Sequence, residues 1–319
     1  MLGAKELVIL DIYENTLYEV ELELRSKYPN IKLITIIASI RDNKRIEQIF
    51  KKYKPELVFH AAAHKHVPLM ETNSIEAIKN NVFGTYNVVK AAHKHLVERF
   101  ILVSTDKAVN PTSIMGATKR ICEMIIQKQN LKSNTKYIAV RFGNVLGSHG
   151  SVVSIFKNQI ELGGPVTVTH KEIKRYFMTI PEAIGLILQA ITFSEGGEIF
   201  ILDLGKAVRI YDLAQKMIKL SGYEPNADIP IEIVGLRPGE KLNEELFEER
   251  EVFSNTLHEK IMVTKIIDFD SKKIHKDLKL LKKLVNSHTP SDNVKIKNVI
   301  KKIVPTFMET DEYIRNIED

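Results

Sequence analysis

The sequence has few of the residues that mark several protein classes. Its 319 residues include one cysteine, Cys122, and no tryptophan. A lone cysteine excludes an intrachain disulfide framework and a cysteine-cluster metal site, and it fits a reducing compartment. No apolar run approaches the roughly 20 residues that span a bilayer, because the nearest, around residues 184–193, is interrupted by Gln189. The first residues lack the apolar core and cleavage site of a signal peptide, so the sequence predicts a cytoplasmic protein.

The positive charge is confined to one late segment. The net charge is +6, and residues 271–302 alone contain ten lysines, two aspartates and no aromatic residue. The run Leu278-Lys279-Leu280-Leu281-Lys282-Lys283-Leu284 predicts an amphipathic helix with a solvated lysine face. The alternative is contact of this face with an anionic membrane surface or a partner. Without aromatic residues to stack on bases, the segment does not predict a nucleic-acid partner.

The first half of the chain alternates strand and helix patterns. Apolar, β-rich runs occur at residues 7–10, 32–37, 57–62, 100–104 and 137–141. Continuous apolar runs are typical of strands buried on both faces of a parallel sheet. Between two of them, a helix after the N-cap Asn73 is predicted by apolar residues at helical spacing: Ile75, Ile78, Val82, Tyr86 and Val89. The pattern predicts an α/β fold with a doubly wound parallel sheet.

The character of the sequence changes after Gly147, where glycines separate shorter elements. Residues 210–222 read as a helix that ends at a glycine, and residues 229–234 read as a strand. No proline- or serine-rich linker divides two independent domains. We therefore expect the later part to form a lobe interleaved with the sheet.

One loop carries a dense set of reactive groups. Ser104-Thr105-Asp106-Lys107 directly follows a predicted strand, and open α/β sheets bind ligands outside the carboxyl ends of their strands. A hydroxyl, a carboxylate and an ammonium there can act as donor, acid and base. The alternative is a capped turn with a surface ion pair. Further on, Met115 and Lys119 are one helical turn apart and share a face.

Seven short motifs in series identify a family resemblance. Together they resemble the extended short-chain dehydrogenases of polysaccharide biosynthesis, and within that group the UDP-N-acetylglucosamine 4,6-dehydratases. The motifs occur in this order: His60-Ala61-Ala62-Ala63, Lys65-His66-Val67-Pro68, Asn81-Val82-Phe83-Gly84-Thr85, Ser104-Thr105-Asp106-Lys107-Ala108, Gly116-Ala117-Thr118-Lys119, Arg141-Phe142-Gly143-Asn144-Val145 and Arg237-Pro238-Gly239-Glu240-Lys241.

The resemblance implies a Rossmann-like doubly wound sheet with a smaller carboxyl-terminal substrate lobe. Residues 1–150 would form an incomplete dinucleotide-binding domain, and residues 151–319 a substrate-binding lobe with a helical extension. The implied cofactor is NAD, with NADP as the alternative. A carboxylate at Asp11 would accept hydrogen bonds from the ribose hydroxyls and repel a 2′-phosphate. The implied cofactor-binding residues are Asp11, Ala61, Ala62, Ser104 and Lys119.

The resemblance also implies a reaction. The implied catalytic residues are Thr105, Asp106, Lys107 and Lys119, and the implied substrate contacts are Lys65, Asn144, Val152, Thr167 and Arg237. Hydride leaves C4 of the sugar, a base removes the C5 proton, an acid protonates the departing 6-hydroxyl, and hydride returns to C6. Asp106 can be the acid if burial raises its pKa. Lys107 can be the C5 base if burial beside Lys119 lowers its pKa.

The sequence departs from the family at two places. Met115 stands where most short-chain dehydrogenases have the catalytic tyrosine; the resembling dehydratase subgroup also carries methionine, and the alternative is a residue that only fills space. The chain also opens at the family's second strand, with Gly3 as the single glycine before Gly84. We therefore expect the carboxyl-terminal part of a longer protein, without the family's first strand and glycine-rich loop. Residues 7–10 and 57–61 would then flank a gap or pair directly.

The leading functional prediction is a nucleotide-sugar 4,6-dehydratase for capsule, O-antigen or glycoprotein glycan synthesis. A UDP-sugar 4-epimerase is the alternative enzyme, although epimerases lack the pair found at Asp106-Lys107. A catalytically dead UDP-sugar-binding fragment is the alternative without chemistry. We expect a homo-oligomer that binds a UDP-sugar and no nucleic acid. As part of a longer protein it would lie at the inner face of the membrane.

Overall fold

The computed structural model describes residues 3–148, 150–248, 251–264, 271–287 and 292–318. The strands are β1 Glu6–Asp11, β2 Lys32–Ile37, β3 Leu57–His60, β4 Arg99–Val103, β5 Lys136–Arg141, β6 Asn144–Val145, β7 Val166–Val168, β8 Lys174–Arg175, β9 Phe177–Met178, β10 Ile199–Leu202, β11 Val208–Arg209, β12 Ile231–Ile233, β13 Phe253–Asn255 and β14 Ile261–Thr264. The α-helices are α1 Glu14–Lys27, α2 Asn43–Tyr53, α3 Val67–Thr72, α4 Ser74–Ala77, α5 Thr85–Lys94, α6 Ile114–Asn130, α7 Val152–Glu161, α8 Ile180–Thr192, α9 Ile210–Leu220, α10 Ser271–Ser287, α11 Asp292–Ile303 and α12 Thr310–Glu318.

The central sheet has six strands in the order β13-β14-β10-β5-β4-β3. Its strands β3, β4, β5 and β10 are parallel, and β14 and β13 add an antiparallel edge. Strands from the later half of the chain therefore extend the sheet that the first half begins. This mostly parallel sheet, with its connecting helices, confirms the Rossmann-like α/β prediction.

The first two strands form a sheet of their own. β1 and β2 pair in parallel from Glu6 with Lys32 to Asp11 with Ile37, and β1 has no pairing with β3. Helix α2 holds this small sheet to the rest, because its two sides enter different apolar clusters. On β3, Leu57 and Phe59 remain exposed. Of the two arrangements predicted for residues 7–10 and 57–61, a gap or direct pairing, the structure has the first, since β1 and β3 are not paired.

The helix predicted after Asn73 forms, with a π-helical turn inside it. Helix α4, a π-helical turn at Ile78–Gly84 and α5 follow one another without a break. Of the residues at helical spacing, Ile78, Val82 and Val89 are buried, whereas Tyr86, just after the wide π turn, is exposed. Asn73 occupies the predicted N-cap position, but its side chain makes no capping hydrogen bond and its amide donates to the Leu69 carbonyl instead.

The lysine-rich segment packs against the protein itself. Its helices α10 and α11 bury an apolar stripe, which includes Leu281 and Ile300, in the same core as α5 and α6. Its predicted amphipathic character is confirmed, and the lysines lie on the other face. Within the described ranges we find no helix with the length and apolarity that a membrane crossing requires.

The split sheet predicts uneven stability. We expect backbone amides of β1 and β2 to exchange with solvent through openings of lower free energy than those of β4 and β5, because two strands alone bury little surface. Native-state hydrogen exchange read by mass spectrometry measures this difference. Equal protection of residues 6–11 and 99–103 would contradict it.

Candidate functional site

The loop after β4 presents the predicted triplet at the carboxyl edge of the sheet. Thr105 caps a single 3₁₀ turn at Asp106–Ala108, where its Oγ1 accepts the Lys107 N–H at 3.4 Å. The same hydroxyl donates to Asp106 Oδ1 at 2.8 Å. Asp106 is fully buried, so the triplet is not the surface ion pair that the sequence left open.

The Lys107 ammonium lies between two buried carboxylates. Its Nζ is 3.1 Å from Asp106 Oδ1 and 3.2 Å from Glu244 Oε1. It also donates to Asn144 Oδ1 at 3.5 Å, which brings a predicted substrate contact to the triplet. The Lys107 side chain keeps 22% of its surface exposed. A molecule arriving from solvent can therefore reach it.

The pKa of Asp106 shifts in the direction expected from the sequence, and the pKa of Lys107 shifts in the opposite direction. Burial raises the pKa of Asp106; the Lys107 charge opposes this rise only in part, and the Glu244 charge adds to it. This is the direction that an acid requires. Burial alone would lower the pKa of Lys107, but Asp106 and Glu244 outweigh it and the pKa is raised. The expected lowering is wrong because two carboxylates, rather than Lys119, surround the ammonium.

Helix α6 brings Lys119 to the same edge. The Lys119 Nζ donates to the carbonyl of Val103, the last residue of β4, at 2.5 Å, and burial lowers the pKa of Lys119. The close approach needs Gly116, because a Cβ there would lie 2.2 Å from the Lys107 carbonyl oxygen. Lys119 and the triplet thus meet at the carboxyl end of β4.

Met115 packs in the apolar core. It is buried and belongs to the main apolar core with residues of α3, α5 and α6. The structure therefore gives Met115 a packing role.

A strap of residues 237–248 crosses the loop that follows the triplet. The Lys241 Nζ donates to the Val109 carbonyl at 3.0 Å, and Thr112 Oγ1 donates to the Gly239 carbonyl at 3.1 Å. Arg175 on β8 holds the strap from another element by donating to the Lys241 carbonyl at 2.8 Å. The strap carries Glu244 into the site, while the Arg237 side chain stays exposed.

The other predicted cofactor residues lie at or just after strand ends, and one of them, Ser104, uses its hydroxyl for a contact inside the protein. Asp11 ends β1, where its Oδ1 accepts the Tyr13 N–H at 2.9 Å. Ala61 and Ala62 are exposed just after β3, which is two residues shorter than predicted. Ser104 is buried and donates to Glu123 Oε1 at 2.6 Å. Its hydroxyl is therefore committed to the protein interior.

The remaining predicted substrate residues lie on other elements of the fold. Val152 begins α7 and packs against a separate apolar cluster. Thr167 lies on β7 opposite Glu232 of β12, and its hydroxyl accepts from Gln159 at 2.8 Å. Lys65 is exposed in the segment between β3 and α3. The structure thus joins Asn144 directly to the triplet and places Val152 and Thr167 in the lobe.

Sequence reasoning missed a buried ion-pair cluster, which we call the Arg141 clamp: Arg141, Glu123 and Glu251. Arg141 at the end of β5 makes two bonds of 2.8 Å to Glu123 and two, of 2.7 and 2.8 Å, to Glu251. All three side chains are fully buried. Although burial opposes ionisation, the charge of Arg141 lowers the pKa of Glu123 to about 2. No local pattern signals the clamp, because its members are distant in sequence.

The sequence matches the polysaccharide biosynthesis protein family over residues 1–266. The chain belongs to this family. It is an extended short-chain dehydrogenase of the polysaccharide biosynthesis type, as the motifs predicted. The capsular polysaccharide biosynthesis protein CapD of Staphylococcus aureus is 50% identical over 296 residues, which are 92% of this chain and 49% of CapD. The chain therefore spans about half the length of this relative.

Two relatives with named reactions carry different ones. A UDP-N-acetylglucosamine 4,6-dehydratase (inverting) of Campylobacter jejuni is 36% identical over 65% of this chain and 60% of that protein. A UDP-glucose 4-epimerase of Rickettsia canadensis is 35% identical over 70% of this chain and 64% of that protein. Sequence identity alone does not separate the two reactions.

Solved structures share the fold. Pen from Bacillus thuringiensis superposes with a TM-score of 0.75 at 34% identity, over 82% of this chain and 81% of that one. A Thermus thermophilus UDP-glucose 4-epimerase, solved in complex with NAD, gives a TM-score of 0.63 at 18% identity, over 76% of this chain and 90% of that one. The second likeness shows the fold alone.

The Arg141 clamp predicts a large loss of stability when it is broken. Arg141→Ala would remove four hydrogen bonds to two buried carboxylates and leave them to Arg120, which reaches Glu123 at 2.9 Å and Glu251 at 3.3 Å. We therefore expect a loss of roughly 3 kcal/mol, the lower end of the cost of breaking a buried ion pair. The control Arg25→Ala removes an ion pair on the surface of α1, which is worth about 0–1 kcal/mol. Urea denaturation at pH 7 compares the two variants. A loss below about 1 kcal/mol for Arg141→Ala would contradict the role of the clamp.

The same clamp predicts a pH dependence. The pKa of Glu123 is depressed from 4.5 to about 2 in the folded chain, so its contribution is complete above 4.5 and is lost as the pH falls through about 2. The stability difference between wild type and Arg141→Ala should therefore shrink over that range. An unchanged difference there would show that Glu123 is not the group involved.

Proposed function

We propose that the chain is the catalytic part of a nucleotide-sugar 4,6-dehydratase that acts on UDP-N-acetylglucosamine. The observation that carries this proposal is the Asp106–Lys107 pair, buried at the carboxyl end of β4 with its ammonium partly open to solvent. An epimerase returns hydride to C4 and has no leaving hydroxyl to protonate. A dehydratase needs an acid for the 6-hydroxyl as well as a base at C5, and the Asp106 carboxyl can be the acid while the Lys107 amine, once its ammonium has released a proton, is the base.

The proposed roles follow from the chemistry of the groups. Asp106, whose pKa is raised by burial, protonates the departing 6-hydroxyl. Thr105 holds the Asp106 carboxyl through Oδ1. We assign the proton transfers at C5 and C6 to Asp106 and Lys107 together, since the thioether of Met115 can neither give nor take a proton.

NAD is the proposed cofactor, and the chain contains some of the residues that would bind it. Lys119 on α6, whose ammonium reaches the end of β4, fits a lysine that holds the nicotinamide ribose, and Ala61 and Ala62 are exposed just after the neighbouring strand β3. Residues 3–53 contain Gly3 as their one glycine, so a glycine-rich pyrophosphate loop is not among them. When bound, NAD accepts hydride from C4 and returns it to C6, so that the net reaction is loss of water.

The lobe is the proposed binding place for the UDP part of the substrate. Arg237 is exposed on the strap that reaches the triplet, and a guanidinium binds phosphate oxygens in a bidentate fork. Thr167 and Val152 lie in the lobe, and Asn144 contacts Lys107. The division into a cofactor part, residues 1–150, and a substrate part, residues 151–319, is part of this proposal. The cytoplasmic location, the homo-oligomer and the contact of the lysine face with a membrane remain predictions.

One experiment separates the three functions. The chain, and a version with the family's first strand and Gly-x-x-Gly-x-x-Gly turn ahead of Met1, are incubated with UDP-N-acetylglucosamine with and without NAD. Mass spectrometry of a dehydratase reaction shows loss of one water. An epimerase gives a product of unchanged mass and different chromatographic retention. A dead fragment binds the sugar nucleotide, seen by calorimetry, and changes nothing.

Two variants of the extended version test the assignment of the pair. Lys107→Ala should slow exchange of the C5 proton with deuterated water by about 10²–10⁴-fold, the usual contribution of an acid–base group. Met115→Leu, a volume-conserving change at a buried position, should keep most of the exchange. Proton NMR of the recovered sugar nucleotide gives both rates. Near-normal exchange in Lys107→Ala would remove the triplet from the chemistry.

A further inference from the structure

Glu244 is the buried charged group nearest to the pair that neither the sequence motifs nor the proposed reaction uses. It arrives on the strap, 137 residues after Lys107, and its side chain is only 3% exposed. One oxygen, Oε1, lies 3.2 Å from Lys107 Nζ, and the other, Oε2, is buried without a hydrogen-bond partner among the described residues. Asp106 Oδ2 is in the same condition. Two buried carboxylates thus share one ammonium, each with a free oxygen.

The two carboxylates are not equivalent. Glu244 is surrounded by three cations, because the Arg175 Nε lies 3.8 Å from its Oε1 and the charge of Lys241 on its own strap acts on it beside Lys107. Asp106 has Lys107 and the Thr105 hydroxyl. When two buried acids compete for the same cation, the one with more positive neighbours ionises first and the other retains its proton.

We propose that Glu244 is a positioning residue of this site, which holds Lys107 as an ammonium in the ligand-free chain and takes up its proton when Lys107 becomes the base at C5, and which thereby leaves Asp106 as the member of the pair that carries the acidic proton. This inference rests on the proposed function, because the acid matters only if a hydroxyl leaves. The directions of the shifts agree with it. Burial opposes ionisation of Glu244, yet its cationic neighbours lower its pKa, while the pKa of Asp106 is raised.

The strap connects Glu244 in the chain to Arg237, the residue proposed to bind the diphosphate. The exposed Arg237, proposed to meet the diphosphate, and the buried Glu244 lie on the same strap, which Lys241 and Gly239 fix to the loop after the triplet. The proposed substrate contact and the group that sets the charge of Lys107 therefore belong to the same backbone segment.

Competition acylation of the intact, ligand-free chain tests the inference. A trace of acetic anhydride is added at several pH values, and mass spectrometry measures the modification of Lys107 relative to the exposed Lys219 of α9. Only the free amine reacts, so a lysine held as an ammonium reacts slowly. Glu244→Gln removes one of the two carboxylates, and Lys107 should then react about tenfold faster below its titration midpoint, since one pKa unit is a factor of ten.

The control variants separate charge from structure. Glu244→Asp keeps the charge and should keep Lys107 slow. Glu245→Gln changes the adjacent carboxylate, which is 44% exposed and pairs with Lys241, and it should leave the Lys107 rate unchanged. Equal rates in wild type and Glu244→Gln, or equal acceleration by Glu245→Gln, would overturn the inference.

The test remains decisive in two further cases. If Glu244→Gln does not fold, the wild-type titration alone serves, because a Lys107 midpoint no higher than that of Lys219 overturns the proposal. The labelling needs neither sugar nucleotide nor NAD. Absence of dehydration would therefore reject the proposed function and leave the Lys107 measurement standing, and a normal Lys107 midpoint would reject Glu244 without affecting dehydration.

Discussion

The Arg141 clamp is the constraint on which the site depends. Arg141 sits at the carboxyl end of β5 and binds Glu123 of α6 on one side and Glu251, beyond the strap, on the other. Glu123 in turn receives the Ser104 hydroxyl from the start of the catalytic loop. Helix α6 carries Lys119, and the strap carries Glu244. One buried guanidinium thus fixes the strand end, the helix and the strap from which the reactive groups extend, and its loss would leave two buried carboxylates dependent on the neighbouring Arg120.

The contacts that hold the elements of the site in place are unevenly distributed over the fold. The triplet, Lys119 and the strap are cross-linked by buried polar contacts around β4 and β5. The two-stranded sheet of β1 and β2 is attached chiefly through α2, and the half-exposed face of β3 lies beside the break. Asp11, which the family resemblance assigns to a ribose of the cofactor, lies at the end of β1 in this two-stranded sheet. The residues assigned to proton transfer are therefore held by more polar contacts than Asp11, which is assigned to the cofactor.

Much of this architecture could be predicted from the sequence because it is written in local patterns. Five apolar runs became strands with ends shifted by one or two residues, and the lysine-rich segment became an amphipathic helix. The break between residues 7–10 and 57–61 followed from strand order. The failures concern contacts between distant residues. Tyr86 is exposed just after the π turn at Ile78–Gly84, and Glu244 reversed the expected shift at Lys107. Glu244 follows Lys241 by three residues, but nothing in that spacing says that it turns inward.

A crystal structure of the chain soaked with UDP-N-acetylglucosamine tests the central claim most directly, which is that the sugar lies at the carboxyl end of β4 against the Asp106–Lys107 pair. The account predicts the 6-hydroxyl oxygen within about 3 Å of the pair, at hydrogen-bond distance, and the diphosphate against Arg237. A hexose bound away from the loop after β4, or turned so that C5 and C6 face solvent, would contradict it.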